Sequence, residues 1–319
     1  MTPLLCLLTA AAAAVRAEDH ADLPPSAEVD AELYATGMEA VALALDREGN
    51  LFTANYRVLG TIGRVTPDGT AGVLVDLVDN AAENATSQAV GIRVNGQGRL
   101  VVADAVGGRL LRVDADGRQV SVLADRYEGR RFAALRNVAL DLAGNVYFTD
   151  AGDGGAQGTV FRFDVVTRRV SLQADGLEEP AGVAVAPDQR QLCLAEAARR
   201  RILLFDLDED GSLANRRTLI EFPERDDPPG DRGPCEPLGM VFDACGRLFV
   251  AMGPAGYVQV VEVPSGRLLR RYDAGGEPVT DCHFHDGYLY TALAAKEAVF
   301  RLPLGVAGFE YSRSAATPD

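Results

Sequence analysis

The sequence predicts an all-β fold, a six-bladed β-propeller in which the N-terminal strand closes the last blade. Three observations predict it. A strand-turn-strand unit recurs six times, the first strand of each unit is apolar on both faces, and an early segment matches the last strands of later units. The chain has 319 residues, which one ring of blades can accommodate, so we expect a single large domain.

The repeated unit consists of an apolar run, a turn and a second strand that ends in most copies in a small or acidic residue. The six copies are VALALDREGNLFTAN, VGIRVNGQGRLVVAD, NVALDLAGNVYFTD, GVAVAPDQRQLCLAE, GMVFDACGRLFVAM and TDCHFHDGYLYTAL. Their turns fall at Gly49, Gly98, Gly144, Arg190, Gly246 and Gly287. A spacing of about 45 residues is typical of propeller blades. The first strand of each copy is almost wholly apolar, as expected for a strand that neighbouring blades cover on both faces.

Closure of the ring is also visible in the sequence. The segment AELYATG, from Ala31 to Gly37, resembles the outer strands VSVLAD and VSLQADG although it precedes the first inner strand. We expect it to pair with the last unit, so that no long sheet edge stays open. The propeller then covers residues 31–311, with a loose leader over 18–30 and a tail over 312–319. A Pro-rich loop over 226–236 explains the one long interval between turns.

Residues 1–17 are expected to be a signal peptide. They contain the apolar run LLCLLTAAAAAV, which is too short to span a bilayer, and end in the small-x-small pattern Val15-Arg16-Ala17. Cleavage before Glu18 would give a secreted or periplasmic protein that makes no membrane contact after signal removal. The usual basic residue before the run is missing, so an uncleaved anchor or an incorrectly assigned start is the alternative.

The net charge of the chain narrows the range of partners. The formal net charge is −15, and nucleic acid and anionic lipid are poor partners for such a surface.

The cysteine content leaves the disulfide pattern open. Cys6 would leave with the signal, and the cysteines that remain are Cys193, Cys235, Cys245 and Cys282. Four thiols allow two disulfides in three pairings, or four small buried side chains without a bridge.

The sequence offers no common catalytic or metal-binding motif from which a function could be assigned. The sequence has no G-x-S-x-G elbow, H-E-x-x-H helix or C-x-x-C pair. The run from Asp206 to Gly211 resembles a calcium loop, but its twelfth position is Arg217 rather than Glu, which favours a hairpin turn. Acidic residues end the second strand of three blades, at Asp104, Asp150 and Glu196. Carboxylates at such positions commonly accept hydrogen bonds from turn amides, so we expect a structural role.

Four phrases resemble the senescence-marker-protein (regucalcin)/gluconolactonase family over roughly residues 31–311. They are NVALDLAGNVYFTD, EPAGVAVAPD, EPLGMVFDACGRLFVA and VTDCHFHDGYLYTALAAKEAVFRLPLGVAGFEY. The individual blades are also similar to NHL repeats. The resemblance implies a six-bladed propeller that binds a divalent metal, usually calcium, at the top of the central channel and hydrolyses lactones or related esters. Such a metal would polarise the carbonyl group and activate water.

The positions that the resemblance implies as metal ligands are largely changed here. Ala181 and Leu238 stand where the family has Asn and Asp, and a side chain without oxygen cannot bind calcium. Val90 occupies the equivalent position in the second blade. In the third blade Arg136 takes the ligand position and Asn137 follows it, so a one-residue bulge would be needed to turn Asn137 inward.

A different polar set remains near the predicted channel. Glu39, Asn137 and Asp281 are the candidate ligands of a rearranged divalent-metal site, with calcium as the expected ion. Asp281 and His283 share one face of a strand with His285, and a carboxylate beside an imidazole can act as an acid–base pair. Arg136 could hold an anionic group. The alternative is structural: Arg136 pairs with Glu39 or Asp281 and plugs a channel that has no catalytic role.

Two functions are consistent with this sequence. One is an exported hydrolase of small lactones or esters, with an eroded or rearranged metal site. The other is a non-catalytic propeller that has lost the metal and binds a ligand or a protein. The hydrolase, and the binder if it takes a ligand, would hold a small molecule in the central channel, where this fold commonly holds ligands.

Overall fold

The computed structural model describes residues 22–78, 86–154, 157–224 and 233–310. The first strand is β1 (Glu32–Thr36). Blade 1 consists of β2 (Leu43–Leu45), β3 (Leu51–Ala54), β4 (Thr61–Val65) and β5 (Ala71–Asp76). Blade 2 consists of β6 (Ala89–Val94), β7 (Leu100–Asp104), β8 (Arg109–Val113) and β9 (Val120–Ala124). A short hairpin, β10 (Arg126–Tyr127) and β11 (Arg130–Arg131), leads to the third blade.

The remaining blades follow the same plan. Blade 3 consists of β12 (Leu135–Leu140), β13 (Val146–Asp150), β14 (Gly158–Asp164) and β15 (Arg169–Leu177). Blade 4 consists of β16 (Pro180–Val185), β17 (Gln191–Glu196), β18 (Arg201–Leu207) and β19 (Leu213–Glu221). Blade 5 consists of β20 (Met240–Phe242), β21 (Arg247–Ala251), β22 (Tyr257–Glu262) and β23 (Leu268–Asp273). Blade 6 contains β24 (Asp281–His285), β25 (Tyr288–Leu293) and β26 (Ala298–Pro303). Single-turn 3₁₀ helices cover Ser26–Glu28, Ala197–Arg199 and Ala294–Lys296.

The sixth blade confirms the predicted closure. Its strand order is β24-β25-β26-β1, and β1 runs antiparallel to β26 with Glu32 opposite Arg301 and Thr36 opposite Ala298. The Nε atom of Arg301 lies 2.9 Å from an oxygen of Glu32. The chain is therefore an all-β, six-bladed propeller whose first strand completes its last blade.

The core consists of apolar layers between neighbouring blades. Between blades 1 and 2, for example, Ala44 and Phe52 pack in one buried cluster with Ile92 and Leu100. The inner strands β2, β6, β12, β16, β20 and β24 are covered on both sides, which explains their nearly unbroken apolar sequences. Burial of this kind fixes where each inner strand begins and ends, and so positions the side chains along the channel.

The described part of the leader is packed rather than loose. Leu23 and Val29 are buried in the cluster between blades 5 and 6, and the hydroxyl of Tyr272 donates to the carbonyl of Pro24 at 2.8 Å. The sequence predicted a loose leader. The leader is instead packed, because its two apolar side chains, which flank a 3₁₀ turn, are buried against blades 5 and 6.

Several predictions concern segments outside the described residues. The signal at 1–17, the tail at 312–319 and most of the loop at 226–236 lie there. Within the described ranges, no helix is long and apolar enough to span a membrane. Cys193, Cys235, Cys245 and Cys282 all lie in these ranges and form no disulfide with one another, and burial raises the pKa of the Cys193 and Cys282 thiols.

Candidate functional site in the central channel

A cavity of about 670 Å³ occupies one end of the central channel. Its inner wall comes from the middle of the inner strands, at Arg93, Ala139, Ala184, Val241 and His283. Its rim comes from the turns that follow these strands. The cavity therefore extends to the face where the inner strands end, which we call the exit face; the opposite face, where they begin, is the entry face.

Residues 304–310, which follow β26, are called the closing segment, and residues 305–310 form part of the cavity wall. The amide of Leu304 donates to the carbonyl of Gly287 at 3.1 Å. Farther along, the carbonyl of Ala307 accepts from the amide of Ala244 at 2.9 Å. These bonds hold the segment across the ends of blades 5 and 6, so the chain itself covers one side of the cavity mouth.

Arg93, on the inner strand of blade 2, reaches across the channel. Its Nη1 atom lies 3.1 Å from Asp281 Oδ2 in blade 6, 2.8 Å from the carbonyl oxygen of Ile92 and 3.5 Å from that of Leu43 in blade 1. Its Nη2 atom lies 3.3 Å from the carbonyl oxygen of Met240 in blade 5 and 3.5 Å from Asp281 Oδ1. Blades 2 and 5 are opposite one another in a ring of six, so the guanidinium bridges the channel axis.

Asp281 is the partner of this guanidinium and is nearly inaccessible. The side chains of Arg93 and Asp281 are 6% and 1% exposed. Asp281 Oδ2 also accepts from the amide of Leu43 at 3.3 Å, and Oδ1 accepts from the amide of Cys282 at 3.0 Å. A buried carboxylate is stabilised when it is both paired and hydrogen-bonded, and both oxygens of Asp281 satisfy that condition.

His283 lines the cavity together with Arg93. Its Nδ1 atom is 3.0 Å from the carbonyl oxygen of Phe284, and a carbonyl only accepts, so Nδ1 carries the hydrogen. Burial, with the charge of Arg93 as a further cause, lowers the pKa of His283 to about 3. The ring is therefore neutral near pH 7, and its Nε2 atom holds a lone pair that can accept a hydrogen bond.

Arg136 and Asn137 occupy a bulge in β12, the irregularity that an inward Asn137 would require. The pairing with β13 shifts register between Leu135 and Val138. Arg136 is exposed, whereas Asn137 is 6% exposed. The backbone N–H of Asn137 donates to Thr149 Oγ1 at 3.1 Å. Within the described structure, the buried Oδ1 atom of Asn137 has no hydrogen-bond partner.

The sequence-predicted residues therefore fall into separate groups. Glu39 and Arg136 are exposed at the entry face, Asn137 is buried beside Arg136, and Asp281 and His283 lie deeper on β24. Their predicted catalytic and metal-binding roles remain predictions. The structural alternative offered by the sequence paired Arg136 with Glu39 or Asp281, whereas the cation that pairs with Asp281 is Arg93.

The donor set does not fit a calcium ion. Calcium takes six to eight oxygen ligands. Both oxygens of Asp281 already contact a guanidinium, and Glu39 and Asn137 would supply only two further side chains from different places. Across the described ranges, no three His, Cys, Asp or Glu side chains come together in a way that could hold a metal.

Arg93 is the central residue that sequence reasoning missed. A signal was present: the second repeat reads GIRV, and Arg is the one charged residue in that otherwise apolar inner strand. Searching each apolar strand for its exceptional residue would have found it, since a buried cation requires a partner.

The acidic ends of the second strands have the structural role that the sequence predicted. Asp104 accepts from the amides of Gln88 at 2.9 Å and Gly107 at 3.0 Å. Asp150 and Glu196 likewise accept from backbone amides of the loops that enter their blades. These carboxylates fix the entry loops and are not free for chemistry.

Comparison with known proteins gives one family. The family model described as "SMP-30/Gluconolactonase/LRE-like region" matches residues 73–294. A gluconolactonase of Zymomonas mobilis is 30% identical over 226 residues, which cover 66% of this chain and 62% of that protein. The adipocyte plasma membrane-associated protein of Rattus norvegicus is 26% identical over 262 residues, which cover 67% and 69% of the two chains. The present chain thus spans less than two thirds of the length of the Zymomonas protein.

Solved structures share the fold at lower identity. A gluconolactonase of Xanthomonas campestris superposes with a TM-score of 0.69 at 22% identity, covering 89% of this chain and 98% of its own. Regucalcin of Agrobacterium tumefaciens, described as a calcium-binding protein, gives a TM-score of 0.63 at 17% identity, covering 88% and 94%. At these identities the likeness concerns the fold alone.

Proposed function

Because this chain belongs to the SMP-30/gluconolactonase/LRE-like family, we propose that it hydrolyses a small lactone or ester at the entry face of the channel. The observation that carries the proposal is the bulge in β12. It places an exposed guanidinium, Arg136, beside a buried acceptor without a partner, Asn137 Oδ1. An unsatisfied buried acceptor costs about 1–3 kcal/mol, and a hydroxyl group of a ligand would relieve that cost.

The proposed reaction needs a base and a group that stabilises an oxyanion. Glu39 at the same face takes a proton from water as the water oxygen attacks the carbonyl carbon. Arg136 stabilises the negative charge that forms on the carbonyl oxygen. The carbon–oxygen bond to the ring or leaving alcohol then breaks, and the proton held by Glu39 passes to the leaving oxygen. The product is a hydroxy acid, or an acid and an alcohol.

Kinetics on a panel of sugar lactones, aliphatic lactones and aryl esters test this proposal. We expect turnover by the wild-type protein and a loss of kcat/KM of about 100-fold or more in Arg136→Ala and in Glu39→Gln. The matched control is Arg118→Ala, because Arg118 is 88% exposed and pairs with Asp116 away from the inner strands. Absence of turnover on the whole panel, or equal losses in the control, would refute the hydrolase.

Export belongs to the same proposal and has its own test. The composition of residues 1–17 supports a cleaved signal. N-terminal sequencing of protein recovered outside the cytoplasm of a producing bacterium should give Glu18 as the first residue. Recovery only in the cytoplasm, beginning at Met1, would contradict export.

A second candidate, a non-catalytic binding propeller, is favoured by the cavity on the exit face. Its wall combines the neutral acceptor His283 Nε2 with the small apolar side chains Ala139, Ala184 and Val241. Such a wall suits a neutral compound with an apolar body and a hydroxyl or N–H donor. Calorimetric titration with neutral cyclic alcohols should show binding that His283→Phe abolishes and His285→Phe reduces less. Equal binding by all three proteins would exclude this site.

A further inference from the structure

The immediate surroundings of the Arg93 guanidinium are rich in oxygen. Its two Nη atoms contact both carboxylate oxygens of Asp281 and the carbonyl oxygens of Leu43, Ile92 and Met240. These oxygens come from blades 1, 2, 5 and 6, and we call them the oxygen cradle. Carboxylate and backbone carbonyl oxygens are the ligands of hard cations in proteins.

The rest of the channel leaves room for this arrangement. At the level of Arg93, the inner strands of blades 3, 4 and 5 carry Ala139, Ala184 and Val241. These side chains are too short to reach the axis, and they offer no charge to Asp281. A long cationic side chain from blade 2 therefore fills the centre and neutralises the carboxylate at once.

We propose that the oxygen cradle is a cation site whose resident cation is the guanidinium of Arg93. Arginine stays protonated at every accessible pH, so the site is occupied permanently and without a soluble ion. The disagreement between the calcium prediction and the observed donors then has a physical cause, since a divalent ion would have to displace a covalently attached charge. The cation site is independent of the proposed hydrolysis, because its test measures thermal stability and cation binding rather than activity.

Removing the guanidinium should convert the cradle into a site for free cations. In Arg93→Ala, Asp281 is left buried without its cation, and the thermal midpoint should fall by several degrees. Calcium chloride, and separately guanidinium chloride at millimolar concentration, should raise the midpoint of this variant by about 3 °C or more while leaving the wild type unchanged. Sodium chloride at matched ionic strength separates specific binding from screening.

The matched control is Arg109→Ala. Arg109 also pairs with a buried carboxylate, that of Asp104, at 2.6 Å. The hydrogen bonds of the Arg109 guanidinium go to a single atom, Asp104 Oδ2, and to no carbonyl oxygen of the described residues, so the vacated place lacks a cradle and should not bind a cation. Calcium should therefore leave the midpoint of Arg109→Ala unchanged.

Two further variants cover a failure of Arg93→Ala to fold. Arg93→Met keeps an apolar stem that ends near the position of Nε and vacates only the place of the guanidinium, so it should show the same calcium response. The double variant Arg93→Met/Asp281→Asn removes both charges and should fold without any calcium response, because replacing a whole buried ion pair is far better tolerated than breaking one. A calcium response in the wild type, or its absence in every folded variant that lacks Arg93 but keeps Asp281, would overturn the inference.

Discussion

His283 shows how a single residue is tuned by its position in the channel. An unfolded histidine titrates near its ordinary pKa of 6.5, whereas the pKa of folded His283 is lowered to about 3. Between these values the unfolded chain binds more protons than the folded one. This contribution to stability is therefore complete above pH 6.5 and is lost as the pH falls toward 3.

Nuclear magnetic resonance can test this directly. From about pH 8 to about pH 5, the imidazole signals of His283 should stay constant and show a hydrogen on Nδ1. His285→Gln identifies the other imidazole of the channel. His283→Gln should lose less stability than the wild type on acidification over the same range. A midpoint near the ordinary pKa in the spectra of His283 would contradict its burial as a neutral ring.

Only part of the site could be predicted from the sequence. Strand alternation, which is a local property, shows that an inward Asn137 would require a bulge, and β12 has one at that position. The pair between Arg93 and Asp281 joins residues 188 positions apart, and no local pattern records that distance. Sequence therefore located Asp281 at the channel but assigned its partner to the wrong blade.

The closing segment depends on a close approach to blade 6. A Cβ atom added to Gly308 would overlap the side chain of Phe284, so only glycine fits there. The segment contributes to the cavity wall, and a bulkier residue at 308 should lift it from the exit face.

We expect Gly308→Ala to lower the free energy of unfolding by about 1–3 kcal/mol, as overpacking does. Urea unfolding measures this, and limited proteolysis should cut faster after residue 304. Gly72→Ala is the matched control, since an added Cβ meets no atom within 4 Å at that strand position. If the two variants prove equally stable and equally resistant to protease, the segment is not held by this contact.

The six-fold repeat made the overall architecture predictable from the sequence. Each blade is specified by local strand and turn patterns, so six copies predict six sheets without knowledge of any long-range contact. Closure could be predicted as well, because β1 carries the sequence of an outer strand. The packed leader could not, because the surface that covers Leu23 and Val29 is made by blades 5 and 6 at the far end of the chain.

If ring closure stabilises the protein, a proline should cost more stability in the closing strand β1 than in the outer strand β9. Ala35 in β1 lies opposite Val299, and Ala124 in β9 lies opposite Leu110. Ala35→Pro should cost about 1–3 kcal/mol more than Ala124→Pro, because it also weakens the joint between the ends of the chain. Hydrogen exchange should quicken in blades 1 and 6 for Ala35→Pro and in blade 2 alone for Ala124→Pro. Exchange confined to one blade in both variants would show that closure is energetically minor.

The crossing of the axis by Arg93 has a consequence for laboratory evolution of this protein. It separates the Arg136 face from the His283 cavity by a buried ion pair, so substitutions at the two mouths share no partner side chain. Changes in distant, unconnected sites usually combine additively. Libraries built separately at each end can therefore be merged, and the effects of the two sets of substitutions should add.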